Sequence, residues 1–131
     1  MNHPRIALLD PFHPAIIQTI RDLLPDGWDL SVADASDPAS RAEALAGADI
    51  ALIMAAKMTP DLLGQAPRLR FIQKMGAGVD NIDLEACGGA GITVARLGAG
   101  NAIQVAEHAA MMILAASRRL IALDARVRAG H

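Results

Sequence analysis

DIALIMAAKMTPDLLGQAPRLRFIQKMGAGVDNID, residues 49–83, reads as one strand–helix–strand unit of an α/β protein. Asp49 to Met54 is a short apolar run that suits a strand buried on both faces. Thr59-Pro60 starts a short helix through Leu63. Arg70 to Met75 is the next strand, and Gly76-Ala77-Gly78 is its exit loop. Two such strands joined through a helix run parallel, with a right-handed crossover.

The same alternation extends outward in both directions. Arg5 to Leu9 is a short apolar strand ended by Asp10-Pro11. Pro14 opens a helix in which Ile16, Ile17, Ile20, Leu23 and Leu24 recur at helical spacing, stopped by Pro25-Asp26-Gly27. Asp29 to Ala33 alternates like a half-exposed strand. Asp37 caps a second helix with Pro38 at its first position, ending at Ala46-Gly47. Asp83 caps a brief helix that fails at Gly88-Gly89, and Ile92 to Ala95 is the fifth strand. This order predicts a flavodoxin-like, doubly wound parallel five-stranded sheet of order 2-1-3-4-5 within residues 1–98, with helices on both faces.

Residues 99–131 depart from the pattern. Gly98-Ala99-Gly100 is a flexible joint. Asn101 is a good N-cap with Gln104 placed as in a capping box, and the helix it opens is expected to reach about Ile121. Met111 to Ala116 are consecutive apolar residues that cover every direction around the axis. A sheet can bury one stripe of this helix, so a second surface is expected to cover the other. The tail after Ala122 is polar. The chain stops at His131 without a sixth strand, as though something follows it.

At 131 residues the chain has the size of one domain, and at 53% hydrophobic and 20% charged it falls among globular sequences rather than disordered ones. A formal charge of -2 argues against nucleic acid as partner, since phosphate binding needs a basic face. Ala102 to Ala116 carries Gln104, Glu107 and His108, too polar and too short for a membrane span. The N-terminus has no signal-peptide pattern. Cys87 is the single cysteine and fits a reducing cytoplasm.

In such a sheet, ligands bind beyond the carboxyl ends of the strands, where strand order reverses. That crevice lies between the first and third strands, at Asp10-Pro11-Phe12 and Ala55-Ala56-Lys57, and the neighbouring fourth-strand exit, Gly76-Ala77-Gly78-Val79-Asp80, contributes if the site extends along the sheet. The last admits two readings: a nest of N–H groups for an anion, or a tight turn that needs glycine. The glycine clusters do not make a dinucleotide fingerprint. Gly76-x-Gly78 has Asn81 at the third position, Gly98-x-Gly100 has Ile103 there, and Gly88-Gly89-x-Gly91 precedes a strand instead of following one. A phosphoacceptor receiver fails because the third strand ends Met54-Ala55-Ala56 without an aspartate. A flavodoxin fails because Asp10 to Pro14 has no serine or threonine. His3, His13, His108 and His131 are scattered, and adjacent Glu107 and His108 point in different directions around a helix.

Met75 to Asp83 (MGAGVDNID), Gly91 to Ala95 (GITVA) and Asn101 to His108 (NAIQVAEH) together resemble the D-2-hydroxyacid dehydrogenase family, in its order and spacing. The resemblance implies an NAD(P)-dependent oxidoreductase of two domains. A flavodoxin-like substrate domain faces a Rossmann coenzyme domain across a cleft, and this chain supplies the substrate side. It implies that Lys74, Gly76, Ala77, Gly78 and Asn101 bind a small 2-hydroxy or 2-oxo acid, with backbone N–H groups holding its carboxylate. Ala77 and Val105 then face the nicotinamide of NAD or NADP. The family's catalytic Arg, Glu or Asp, and His lie beyond His131, so no catalytic residue is assigned and the chain alone is expected to be inactive. Arginines that serve phosphorylated substrates are replaced here by Met54-Ala55-Ala56-Lys57 and Gln73-Lys74-Met75. The helix from 101 to 121 is expected to mediate homo-oligomerisation. The alternative is a stand-alone module that binds small anions or oligomerises without catalysis.

Overall fold

The computed structural model describes residues 3–98 and 100–131. The strands are β1 (Arg5–Leu8), β2 (Asp29–Val32), β3 (Ile50–Ile53), β4 (Phe71–Lys74) and β5 (Thr93–Arg96). The helices are α1 (Pro14–Leu23), α2 (Pro38–Leu45), α3 (Pro60–Gly64), α4 (Leu84–Gly89), α5 (Ala102–Ser117) and α6 (Leu120–Arg128). All pairings are parallel and the order is β2-β1-β3-β4-β5, as expected from the alternation. The chain divides into two units, Met1–Gly98 and Ala99–His131.

Alternating side chains of the strands feed two cores. Ile6, Leu8 and Leu30 pack with Ile17, Ile20 and Leu24 of the α1 segment and with Trp28. Ala7, Leu9, Ala51, Ile53 and Ile72 face the other way, against Leu45 of α2, Leu62 and Leu63 of α3, and Cys87 of α4. Burial on both faces is why these strands read as unbroken apolar runs. Within α1, Ile16 and Leu23 share the helical spacing but stay exposed, at 47% and 78%.

Within the sheet unit the caps expected at Asp37 and Asp83 form, and Thr59 adds a third. Asp37 accepts from Ser40 N–H at 3.0 Å, Thr59 from Leu62 N–H at 3.3 Å, and Asp83 from Ala86 N–H at 2.8 Å. His13 also caps α1, its Nδ1 accepting from Ala15 N–H at 3.3 Å. α4 stops at Gly89, where the glycine pair was expected to end it, and Gly91 at φ +70° closes the end. Gly91 N–H returns to the Gly88 carbonyl and Ile92 N–H to that of Cys87, while Ile92 buries in the core. This double closure needs a left-handed residue, which glycine supplies without a Cβ penalty.

The second unit departs from its sequence reading in two places, and Ala99 of the joint lies outside the described residues. Asn101 makes no side-chain capping bond, so the capping box with Gln104 is not formed. The helix also ends at Ser117 instead of reaching Ile121. The Ser117 hydroxyl donates to the Ile113 carbonyl at 2.6 Å, Arg119 adopts φ 49°, and α6 begins at Leu120 and carries the polar tail after Ala122 as helix to Arg128. A left-handed arginine costs about 1 kcal/mol, and neither glycine nor proline marks the break in the sequence. Nor is either stripe of α5 buried: Ile103 is 70% exposed, Met112 57% and Ile113 66%.

Candidate functional site

Buried charged side chains brace the carboxyl ends of β1, β3 and β4. Asp10, just past β1, turns its carboxylate to the β3 exit and accepts from Met54 N–H at 2.6 Å and Ala55 N–H at 3.0 Å. Lys74, the last residue of β4, reaches the same segment from the other side. Its ammonium donates to the Met54 carbonyl and, at 2.8 Å, to Asn81 Oδ1. Asn81 in turn donates through Nδ2 to the Ala56 carbonyl at 2.6 Å. Asp10 and Lys74 are only 7% and 8% exposed. Met54 is therefore pinned by its N–H and its carbonyl, while its side chain stands exposed.

Lys74 makes no ion pair among the described residues; both of its acceptors are neutral oxygens. An ammonium has three N–H groups, and two are used here. Removing a cation from water without a counter-ion is costly. The third N–H is left for solvent or for a ligand at the exit of β4.

The loop that follows is polarised along its backbone. The carbonyls of Gly76, Ala77, Val79 and Asn81 all accept, from Leu97 N–H at 3.2 Å, Arg96 Nη1 at 2.7 Å, Ile82 N–H at 3.0 Å and Met58 N–H at 2.8 Å. The N–H groups of Gly76 through Asn81 donate to no oxygen among the described residues. With the carbonyls tied back to the protein, a run of donors is left for solvent or ligand. Ala77 and Gly78 are exposed. Neither Gly76 nor Gly78 has a positive φ, so a turn that demands a left-handed glycine is not the reason for them. At Gly78 a Cβ would come within 2.8 Å of Asp80 Oδ1, so a side chain there displaces that carboxylate.

Lys74, Gly76, Ala77 and Gly78 thus lie together at the end of β4. Asn101 and Val105 belong to the second unit, where Asn101 stands at the α5 N-terminus and Val105 is 58% exposed. Sequence reasoning missed the bracing roles of Asp10 and Asn81, and the contact of Arg96 with the loop. Asp10 carried a faint signal as an acid closing an apolar strand. The other contacts join residues far apart in the chain. Cys87 is buried, and burial, with the Asp83 carboxylate adding to it, pushes its thiol up from the ordinary value. That thiol is a core group and not a nucleophile.

The loop after β4 does not form a cradle for a dinucleotide, and the glycine joint between β5 and α5 includes Ala99, which lies outside the described residues. Such a cradle is a strand, a glycine turn and then a helix start, whereas Gly78 is followed by Val79 to Asp83 before α4 begins. Gly91 is used to end a helix. No chemical step at this site is therefore assigned to a nicotinamide. Among the described residues, no cluster of His, Cys, Asp or Glu could hold a metal ion, and no helix is long and apolar enough to cross a membrane.

A parallel sheet of this order, with helices packed on both faces, defines a doubly wound α/β unit whose switch point lies between β1 and β3, next to the β4 exit. The chain belongs to the D-isomer specific 2-hydroxyacid dehydrogenase family, whose catalytic-domain description matches residues 6–127. It is 30% identical over 129 residues to D-3-phosphoglycerate dehydrogenase of Mycobacterium tuberculosis, covering 98% of this chain and 24% of that protein. It is 33% identical over 135 residues to glyoxylate reductase of Aeropyrum pernix, covering 100% of this chain and 39% of the relative. Among solved structures, a 2-hydroxyacid dehydrogenase from Ketogulonicigenium vulgare superposes with a TM-score of 0.78 at 27% identity, over 99% of this chain and 41% of that one. The NAD+-bound 3-phosphoglycerate dehydrogenase of Entamoeba histolytica gives 0.75 at 25% identity, over 86% and 39%. The chain thus spans a quarter to two fifths of the length of these relatives.

Proposed function

We propose that this chain forms the substrate-binding face of an NAD(P)-dependent oxidoreductase acting on a small 2-hydroxy or 2-oxo acid. The observation that carries this reading is the loop from Gly76 to Asn81, in which the carbonyls of Gly76, Ala77, Val79 and Asn81 are tied back and the N–H groups meet no acceptor among the described residues, beside a buried lysine without an ion pair. A carboxylate fits such a site, because it accepts several N–H bonds and supplies the missing negative charge. Lys74, Gly76, Ala77 and Gly78 form the carboxylate end; the family resemblance gives Asn101 a substrate role and Ala77 and Val105 a nicotinamide one. The coenzyme, NAD or NADP, is held mainly by a Rossmann domain that family members place after this segment. The chain itself contributes binding and orientation of the acid, and no proton-transfer group. The family match across residues 6–127 favours this over a stand-alone anion-binding module. The buried thiol of Cys87 suits a reducing cytoplasm.

Titration with oxalate or glyoxylate tests the site. Amide resonances of Gly76 to Asn81 are expected to shift, with a dissociation constant in the millimolar range, about 4 kcal/mol of binding. Shifts confined to other loops, or none at high ligand, would sink the assignment.

The second unit supports a proposal of self-association. Ile103, Met111, Met112, Ile113, Leu114, Leu120 and Ile121 are all more than half exposed. Burying one such side chain contributes ~1.5–3 kcal/mol, and contiguous apolar surface of this kind marks an interaction site. We therefore expect a dimer through α5 and α6 at micromolar concentration, weakened by Met112→Glu and by Leu114→Glu. Sedimentation decides it: a monomer whose mass neither substitution alters excludes this interface.

A further inference from the structure

We propose that Arg96 positions the glycine loop and sharpens its donors, acting through the peptide between Ala77 and Gly78. The proposal rests on the carboxylate-binding reading of that loop. Arg96 closes β5, the edge strand beside β4. Its Nη1 donates to the Ala77 carbonyl oxygen at 2.7 Å, across nineteen positions of sequence.

That oxygen belongs to the same peptide unit as the N–H of Gly78. Drawing electron density to the oxygen leaves the amide hydrogen more positive, so the bond it donates is strengthened cooperatively. A charged donor does this more strongly than a neutral one. The backbone N–H of Leu97 acts in the same sense one residue earlier. It donates to the Gly76 carbonyl at 3.2 Å and so polarises the peptide that carries the Ala77 N–H. The end of β5 thus grips two consecutive carbonyls and leaves the two following N–H groups free. The Leu97 grip is backbone and survives substitution. The Arg96 grip depends on one side chain.

Arg96 makes no ion pair among the described residues, so its charge is not already neutralised by a carboxylate. Asp80, whose carboxylate lies beside Gly78, is the opposing charge on the loop, and Arg96 offsets its repulsion of an incoming anion. In this role Arg96 touches the loop and not the reacting atoms, which makes it a positioning residue. Its guanidinium is planar and orients on a carbonyl in a way that a lysine ammonium does not reproduce.

The test titrates oxalate into the 131-residue protein and its Arg96→Lys and Arg96→Met variants at two ionic strengths, following the amides of Gly76 to Asn81. Arg96→Met is expected to bind oxalate about three- to tenfold more weakly, the size of one solvent-screened charge interaction, and with a flatter salt dependence. Arg96→Lys is expected to keep the salt dependence and recover part of the affinity, which a purely structural tether would not predict. Without ligand, the Gly78 amide proton should move upfield in Arg96→Met as the polarisation is lost. An Arg96→Met protein with wild-type affinity and salt dependence overturns the proposal and leaves the loop as the anion site. A wild-type protein in which oxalate moves no loop amide overturns both.

Discussion

Replacing Asp10 with alanine is expected to lower the stability of the sheet unit by about 2–4 kcal/mol and to loosen the exit of β3. Each bond from an N–H to a buried carboxylate contributes ~1.5–3 kcal/mol, and Asp10 accepts two of them, at 2.6 and 3.0 Å. Met54 and Ala55 are exposed, so water recovers part of the loss at their amides. Asp10→Asn keeps one acceptor oxygen and should lose roughly half as much. Trp28, the single tryptophan, packs beside Leu30 and reports unfolding in urea. If the alanine variant is too unstable to handle, the asparagine variant still answers through hydrogen exchange at Met54 and Ala55, which should accelerate. An unchanged urea midpoint together with unchanged exchange at those amides would show that Asp10 braces nothing.

The second large effect is at the other end of the sheet, and it depends on pH. Asp49, 6% exposed, accepts from Arg5 N–H at 3.0 Å and from Arg68 Nη2 at 3.1 and 3.3 Å. The Arg5 amide does most to hold this carboxyl below its ordinary value. Burial pushes the other way, and the Arg68 hydrogen bond and charge, with Arg70 beyond, add to the lowering. A carboxyl depressed in the folded state stabilises fully above its unfolded value of about 3.9, and that contribution is lost as pH falls through the lower folded value. Asp49→Asn should therefore be less stable at pH 7, by about 1–2 kcal/mol given that Arg68 is half exposed. The difference from wild type should shrink as pH drops below about 4. Parallel urea curves at every pH between 7 and 2.5 would refute the assignment of this carboxylate.

The topology was legible because it rests on local signals. Thr59-Pro60 and Asp37-Pro38 announce helix starts by capping chemistry that acts within a few residues, and both caps form. Runs such as RIAL and IALI announce buried strands by composition alone. The break that lacked a local signal was misread. Arg119 turns left-handed with no glycine to mark it. There the backbone's own hydrogen bonding, returning to carbonyls of the preceding turn, placed the boundary.

The candidate site was legible as a place and not as a mechanism of binding. By itself the sequence determined the order of elements, the parallel sheet, and the position of a glycine loop at the carboxyl end of β4, since strand order sets where such a loop must lie. Only the tertiary structure decided which groups around that loop are spent and which remain free. Asp10 and Lys74 look alike as polar residues ending apolar strands. Folding spends Asp10 on two backbone amides, whereas Lys74 meets only neutral oxygens and keeps its charge uncompensated. Arg96 lies nineteen positions from Ala77, and only the pairing of β4 with β5 brings its guanidinium to that carbonyl. Hydrogen-bond partners this far apart in the chain leave no periodicity to read. They are settled by which strands lie side by side.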